Sequence, residues 1–234
     1  MNTTPDLGTA GQVRAGHVPA EQARARHARP HPYPGKRLLD VVLAAITLAP
    51  AALIVLAAAL IHLLFHGPPV LFRQERVGLA GRPIVVLKLR TMGLAAEAAG
   101  NSPAARQVTA VGGILRRLAI DELPQLLNVL RGDMSLVGPR PTLPYQVQRY
   151  DSRQILRLSV LPGLTGLAQV HGRQRMSWPD RIEWDLRYAE QQSLRLDIAI
   201  LFLTVWTVLA TGGAAASHEN DPIARIERSQ GDSA

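Results

Sequence analysis

Two long apolar runs dominate the hydrophobic pattern of the chain. Residues 41–61 are apolar at every position except Thr47, and as a straight helix they would measure about 31 Å, the thickness of a bilayer hydrocarbon core. The second run, residues 198–210, would give a helix of only about 20 Å. The first run therefore predicts a membrane segment. The second, with Asp197 at its edge and Trp206 suited to the interface, predicts a helix in the interface or against the protein.

Pro50 lies in the middle of the first run, where proline removes a backbone hydrogen bond and is expected to break or kink a helix. Each half would reach only about the bilayer midplane. Both flanks are basic, and the positive-inside rule places both on the cytoplasmic side. We therefore expect a re-entrant helix hairpin, with a Pro-kinked spanning helix as the alternative.

The segments between the two runs alternate short apolar stretches with turn residues. Residues 70–72 and 84–87 predict strands, with Gly78 and Gly81 supplying the turn between them. Residues 112–118 and 145–158 predict helices, and a turn with a short strand is expected after Pro162. Ser177 and Pro179 mark another helix start, whose buried stripe would be formed by Ile182, Leu186 and Ala189.

The pattern predicts an α+β protein that is mostly helical, with a short β-hairpin and interfacial helices. We expect four regions: a disordered basic tail at 1–35, a membrane-inserted re-entrant helix at 36–66, a folded domain at 67–211 and a disordered tail at 212–234. The charge distribution places the folded domain on the cytoplasmic face of the membrane.

Asp121 and Glu122 are adjacent carboxylates at a point where a helix is predicted to begin. Asp121 is suited to the N-cap, and apolar residues then recur at helical spacing until Gly132; they are Leu123, Leu126, Leu127 and Leu130. The helix dipole would keep Asp121 ionised and would also favour a bound phosphate. An Asp-Glu pair in this position is most often only a helix start.

Composition narrows the function further. The net charge is +8, 47% of the residues are hydrophobic and only 4% are aromatic, which argues against base stacking on nucleic acid and fits an anionic membrane or phosphate-bearing substrates. The chain has no cysteine, so disulfides, a thiol nucleophile and a zinc-thiolate site are excluded.

Basic residues at defined places could bind such phosphates. Lys88 and Arg90 follow a predicted strand, where they would form a solvated edge or direct charge at a phosphate. Arg116 and Arg117 precede the acidic pair, and spacing alone does not choose between them. Arg140 lies between Pro139 and Pro141, which restrict the backbone and preorganise the guanidinium.

Five motifs in order resemble the bacterial sugar transferases, the monotopic polyprenyl-phosphate phosphoglycosyl transferases, from about residue 36 to about residue 211. No one of them is decisive, but their order and spacing are specific. They are Lys-Arg-Leu-Leu-Asp at 36–40, Phe-Arg-Gln-Glu-Arg-Val-Gly at 72–78, Lys-Leu-Arg-Thr-Met at 88–92, Asp-Glu-Leu-Pro-Gln at 121–125 running on to Gly-Pro-Arg-Pro at 138–141, and Pro-Gly-Leu-Thr-Gly at 162–166.

The resemblance implies transfer of a sugar 1-phosphate from a UDP-sugar to undecaprenyl phosphate, with release of UMP, as the first step of exopolysaccharide, capsule, O-antigen or glycoprotein glycan assembly. It implies a bacterial inner-membrane enzyme with a cytoplasmic active site, membrane lipid around it and downstream glycosyltransferases as possible partners. Asp121 would be the nucleophile that carries the phosphosugar, Glu122 its partner, and Mg²⁺ would be held near Asp121. Phosphate or nucleotide would be bound by Lys88, Arg90, Arg116, Arg140 and Arg173.

Two positions depart from the family pattern. The membrane break often reads Ser-Pro in the family, whereas here Ala49 precedes Pro50, so a side-chain hydrogen bond at the break is lost. Many relatives carry Asn where His171 stands, which could alter contacts near the sugar.

Two other functions compete with the transferase. A membrane-tethered basic adaptor for anionic lipid or nucleic acid would use the acidic pair only as a helix start, and its binding would depend on salt. A phosphohydrolase would pass the phosphosugar to water and would need no lipid.

Overall fold

The computed structural model describes residues 32–91, 110–171 and 176–211, so the predicted tails lie outside the described residues apart from 32–35. The described part is mostly helical and carries two short sheets. Its helices are α1 (Lys36–His66), α2 (Ala110–Arg117), α3 (Leu126–Arg131), α4 (Pro144–Val147), α5 (Leu167–His171), α6 (Trp178–Gln191) and α7 (Leu194–Thr211). Its strands are β1 (Leu71–Val77), β2 (Pro83–Leu89), β3 (Ser135–Val137) and β4 (Gly163–Thr165).

The apolar helix α1 runs unbroken through Pro50, so the predicted division into two half-helices is wrong. It begins after Gly35 (φ 87°) and ends at Gly67 (φ 72°), two left-handed positions that glycine adopts without strain. Proline removes only one backbone donor, and packing of α1 on both sides of Pro50 holds the two halves as one helix.

One face of α1 packs against the rest of the protein along its whole length. The buried residues of the helix are Lys36, Asp40, Ala44, Ala51, Ala58 and His62. Their spacing of four and seven residues puts them on one narrow stripe, where small alanines allow close approach. The opposite face exposes large apolar side chains such as Leu53 and Phe65. By length and composition, α1 alone among the helices of the described ranges could cross a membrane.

The two sheets are small and differ in direction. Strands β1 and β2 form an antiparallel hairpin in which Leu71 pairs with Leu89 and Val77 with Pro83, so the strands predicted at 70–72 and 84–87 are confirmed in place and are longer than expected. Strands β3 and β4 pair in parallel, and β3 was not predicted because three residues carry no usable periodicity. The helix predicted over 145–158 is wrong: α4 and a 3₁₀ turn at Gln154–Ser159 occupy that stretch.

The main core lies where α1, α3, α6 and α7 meet the two sheets. Its largest buried members include Val86 of β2, Leu126 of α3, Met134 before β3, Tyr188 of α6 and Ile200 of α7. The core therefore fixes the start of α3, directly after the acidic pair, against the hairpin that carries Lys88.

A buried polar cluster ties both apolar helices to this core, and we call it the anchor cluster: Lys36, Asp40, Ser135, Tyr188 and Asp197. The Lys36 ammonium donates to Asp197 Oδ2 at 2.7 Å, to Ser135 Oγ at 2.6 Å and to the Val137 carbonyl at 3.1 Å. Tyr188 donates to Asp197 Oδ1 at 2.8 Å, and Ser135 donates to Asp40 Oδ1 at 3.0 Å. These bonds set the ends of α1 and α7 beside each other.

Helix α6 confirms its predicted start and buried stripe, whereas helix α7 differs from the prediction. Ser177 caps α6, its hydroxyl accepting from the Asp180 backbone N–H, and the predicted stripe of Ile182, Leu186 and Ala189 is buried. Helix α7 starts earlier than predicted, so Asp197 lies within its first turn and is fully buried rather than at its edge.

Candidate active site

The acidic pair lies in a 3₁₀ turn, Ile120–Gln125, that leads directly into α3. The prediction that Asp121 caps an α-helix is wrong, because Ala119 (φ 55°) occupies the N-cap and no side chain caps the turn. Pro124 lacks the N–H that a regular α-helix would use at this point, so the chain tightens before α3 begins at Leu126. Both carboxylates still lie in the first turn, and the predicted stop at Gly132 (φ 94°) is confirmed.

Glu122 is held by two cations that come from distant parts of the chain. Its Oε1 accepts from Lys88 Nζ at 2.9 Å and from Arg140 Nη2 at 2.5 Å, and its Oε2 accepts from Arg140 Nη1 at 3.3 Å. Burial of Glu122 opposes ionisation, but the charges of Arg140 and Lys88 outweigh it and hold the pKa of Glu122 well below its ordinary value. Glu122 is therefore a permanent anion that aligns two cations.

Asp121 is in the opposite situation. Its residue is 8% exposed, and none of the hydrogen bonds or ion pairs among the described residues reaches its carboxylate. Burial, together with the negative charge of Glu122, raises the pKa of Asp121 to about 6, and Lys88, Arg116 and Arg140 limit the rise. At neutral pH Asp121 is thus mostly ionised, and it is not neutralised by a direct partner.

A cavity of about 1000 Å³ opens in front of the acidic pair. Among the described residues that line it, basic side chains outnumber acidic ones by eight to two. The basic ones are Arg76, Lys88, Arg90, Arg116, Arg117, Arg140, Arg157 and Arg181. A cavity of this size and sign suits a ligand with several negative charges, such as a nucleotide diphosphate.

The structure brings most of the predicted phosphate-binding residues to this cavity. Lys88, Arg90, Arg116 and Arg140 all line it, and Arg116 is oriented by a 2.7 Å hydrogen bond from Nε to Thr91 Oγ1. Arg117 lines it as well, so both members of the Arg-Arg pair that spacing left open face the same space. Arg173 lies outside the described residues.

The position of Arg140 depends on close backbone contact between Gly138 and β4. A Cβ at Gly138 would lie 2.3 Å from the Leu161 carbonyl oxygen, and one at Gly163 would lie 2.1 Å from the Gly138 nitrogen, so a larger residue fits at neither place. The Gly163 N–H donates to the Pro139 carbonyl at 2.8 Å. The Gly-Pro-Arg-Pro motif therefore uses its glycine to dock the segment that presents Arg140 to Glu122.

The sequence did not predict a second contact that holds the segment carrying Arg140. Arg157 is fully buried and donates to Asp185, to the Tyr150 hydroxyl and, at 3.1 Å, to the Arg140 carbonyl. The available signal was Asp185, since an acid between Ile182 and Leu186 on a buried helical stripe needs a buried cation. Arg76 and Arg181, which also line the cavity, gave no such signal.

Comparison with known proteins identifies the family. The family model of the bacterial sugar transferases matches residues 32–211. The uncharacterized sugar transferase EpsL of Bacillus subtilis is 44% identical over 179 residues, which cover 76% of this chain and 89% of that protein. The UDP-glucose:undecaprenyl-phosphate glucose-1-phosphate transferase of Caulobacter vibrioides is 46% identical, covering 76% and 71% of the two chains, and the exopolysaccharide production protein ExoY of Sinorhizobium fredii is 36% identical, covering 76% and 87%.

The matched region contains the acidic turn, the cations that surround it and both apolar helices that the anchor cluster ties to the core. The resemblance given by the five motifs is thereby confirmed over residues 32–211. The protein belongs to the bacterial sugar transferase family.

Proposed function

We propose that this protein transfers a sugar 1-phosphate from a UDP-sugar to undecaprenyl phosphate and releases UMP. The named activity of the Caulobacter relative supports the two substrates. The observation that carries the proposal is the unpartnered carboxylate of Asp121 at the floor of a cavity lined mainly by cations. A lipid adaptor does not need a free carboxylate next to a cation-aligning one, and the lipid acceptor named for the Caulobacter relative favours a transferase over a hydrolase.

In the first half-reaction, a carboxylate oxygen of Asp121 attacks the sugar-bearing phosphorus of the UDP-sugar. A bond forms between that oxygen and the phosphorus, the bond from phosphorus to the bridging oxygen breaks, and UMP departs with the electron pair. Asp121 needs no base, since it is mostly ionised at neutral pH. The product is an acyl phosphosugar on Asp121.

In the second half-reaction, a phosphate oxygen of undecaprenyl phosphate attacks the same phosphorus. The new phosphorus–oxygen bond forms as the bond to Asp121 breaks, which returns the carboxylate and gives undecaprenyl diphosphate sugar. A carboxylate is a good leaving group, and enzyme and lipid meet in one membrane plane, which raises their effective concentration.

Lys88 and Arg140 stabilise the charge that develops on the transferring phosphoryl group and on UMP. Glu122 holds both cations in place through its two oxygens, so their orientation precedes substrate binding. On this view Glu122 does not exchange protons during the reaction, because Arg140 and Lys88 keep its pKa far below neutrality.

Mg²⁺, which the family resemblance implies, fits the residues present. Mg²⁺ is commonly held by one or two carboxylates together with substrate phosphates and water. Glu122 is engaged by Lys88 and Arg140, whereas Asp121 offers a carboxylate without a competing partner, so Asp121 would hold the ion. When bound, the ion supplies further neutralisation of the diphosphate charge.

We further propose that α1 is inserted in one leaflet and that the folded domain is cytoplasmic. The contacts of α1 support this placement, because Lys36 at one end and Ala58 near the other both pack against the same domain. A helix that packs against one domain along its whole length lies on the same side of the membrane as that domain. The basic flanks of α1 favour the cytoplasmic side.

The product defines the setting of the reaction. A lipid diphosphate sugar is an acceptor for further glycosyl transfer, so the protein would start assembly of an exopolysaccharide or a related glycan and precede other glycosyltransferases. The name of the Sinorhizobium relative fits this role. Nucleic acid is not an expected partner, since the chain is only 4% aromatic.

The test measures UMP release by the detergent-solubilised protein with Mg²⁺ and a panel of UDP-sugars, with and without undecaprenyl phosphate. We expect turnover only with lipid, and without lipid one UMP per enzyme together with a mass increase of the protein equal to one phosphosugar. Asp121→Asn should lose both signals. Asp133→Asn, at the far end of α3 and outside the cavity, is the matched control.

Each rival function predicts a different result. Continuous UMP release without lipid would favour the phosphohydrolase. Membrane binding that survives Asp121→Asn, in a folded protein that consumes no UDP-sugar, would favour the adaptor.

A further inference from the structure

The cavity in front of Asp121 has two chemically different halves. The half that contains the acidic turn is lined by the cations already described. The other half is formed by α1 and α7, and its lining residues are Leu43, Thr47, Leu201, Thr204, Val205 and Val208. On α7 these residues recur at spacings of three and four, so one face of the helix forms the wall.

The threonines of this wall do not make it polar. Thr47 Oγ1 donates to the Leu43 carbonyl at 2.5 Å, and Thr204 Oγ1 donates to the Ile200 carbonyl at 2.7 Å and also contacts Thr165 Oγ1. Thr207, which also lines the cavity, donates to the Leu203 carbonyl. Because these hydroxyls bond within the protein, the wall offers a ligand mainly methyl and methylene groups.

We propose that the wall between α1 and α7 holds the isoprene units nearest the phosphate of the lipid acceptor. This inference rests on the proposed function and assigns the second substrate its own part of the cavity. A ligand that fits both halves has a phosphate joined directly to an apolar chain, and the cationic half complements that phosphate. The four wall residues of α7, Leu201, Thr204, Val205 and Val208, span about 10 Å along the helix, which accommodates the first few isoprene units.

The outward faces of the same helices have a different role. Ile46 on α1 is 66% exposed and Phe202 on α7 is 70% exposed, and neither lines the cavity. These side chains suit contact with bulk membrane lipid. Each helix therefore separates a face for the acceptor chain from a face for the surrounding bilayer, and the two faces can be altered independently.

The experiment uses the full-length protein in lipid nanodiscs. Tryptophan substitutions on α1 or on α7 narrow the apolar half of the cavity. Thr47→Trp and Val208→Trp place an indole on the cavity wall, whereas Ile46→Trp and Phe202→Trp add the same group to the outward faces. The acceptors are undecaprenyl phosphate, farnesyl phosphate and geranyl phosphate. The KM for each acceptor is measured at saturating UDP-sugar, and the UMP burst without any polyprenyl phosphate acceptor is measured in parallel.

We expect the inward variants to raise the KM for undecaprenyl phosphate by about tenfold, the effect of losing contact with roughly two methylene groups, and to leave the UMP burst intact. They should also reduce the preference for longer chains, whereas the outward variants should keep both KM and preference at wild-type values. Equal effects of inward and outward variants, or no effect of the inward ones, would overturn the proposal. A wild-type protein without an Asp121-dependent UMP burst would instead refute the proposed function.

Discussion

Two buried aspartates show how differently this protein treats the same side chain. In the anchor cluster, Asp197 is fully buried and accepts hydrogen bonds from Tyr33, Lys36 and Tyr188. At the cavity floor, Asp121 is nearly as buried and accepts none from the described residues. The first carboxylate is satisfied by the fold, and the second is left for a ligand or a reacting atom.

This difference separates a structural ion pair from a reactive group better than burial or charge does. A buried carboxylate without partners destabilises the fold, and such groups cluster at functional sites. Glu122 makes the arrangement possible, since it takes up Lys88 and Arg140 and so leaves Asp121 without a direct partner.

The largest expected effect is in the anchor cluster. Asp197→Ala removes the carboxylate nearest to the buried Lys36 ammonium and leaves only Asp40, 3.6 Å away, which should lower the free energy of unfolding by about 3–5 kcal/mol. Chemical denaturation in detergent measures this change in the free energy of unfolding. The double variant Lys36→Met with Asp197→Leu should recover most of the loss, and a double variant no more stable than Asp197→Ala would contradict the assignment of a buried ion pair.

For Asp121, at the cavity floor, loss of the carboxylate should change the free energy of unfolding in the opposite direction. The pKa of Asp121 is about 6 against an ordinary 3.8, so the folded state holds this proton more tightly than the unfolded state does. Wild-type stability should therefore rise as the pH falls from about 6 towards 4, and Asp121→Asn should stabilise the neutral protein by up to about 3 kcal/mol. Asp121→Asn should thus be inactive and more stable, and a less stable variant would contradict the contrast with Asp197.

The acid limb of the pH–rate profile tests the different roles of Asp121 and Glu122. Because Asp121 must be ionised to attack, kcat/KM for UMP release should fall as the pH drops below about 6. Glu122→Gln removes a neighbouring negative charge and frees Lys88 and Arg140 to face Asp121, so the limb should move down by roughly one pH unit while the rate falls. A limb that moves upward would mean that another group controls the reaction.

The smallest expected effect lies at the end of α3, where Arg37 makes no contact with either aspartate. Arg37 donates to the Val129 carbonyl at 2.6 Å and to the Leu130 carbonyl at 2.8 Å, two carbonyls of the last turn. Arg37→Ala should cost about 0.5–1 kcal/mol of unfolding free energy and leave the pH limb unchanged. Arg131→Ala, at the same helix end, is the control with a smaller expected loss.

Local sequence patterns predicted much of this fold. The apolar helix α1, the β1–β2 hairpin, the Ser177 cap of α6 and the stop at Gly132 all follow from signals within a few residues. Predictions failed where distant contacts decide the outcome. Packing of both halves of α1 on the core overrides Pro50, and the partners of Asp197 draw it into the interior.

The sequence by itself determined which chemical groups are present: two adjacent carboxylates in one helical turn, a set of cations and an apolar helix, because residue type and local spacing are enough to specify these. Only the tertiary structure decided which carboxylate is free. The partners of Glu122 lie 34 and 18 residues away, on β2 and on the segment docked by Gly138, and no local pattern encodes that meeting. The structure likewise set α7 opposite α1, which gives the cavity its apolar half, since a contact between such distant segments arises only from packing of the whole core.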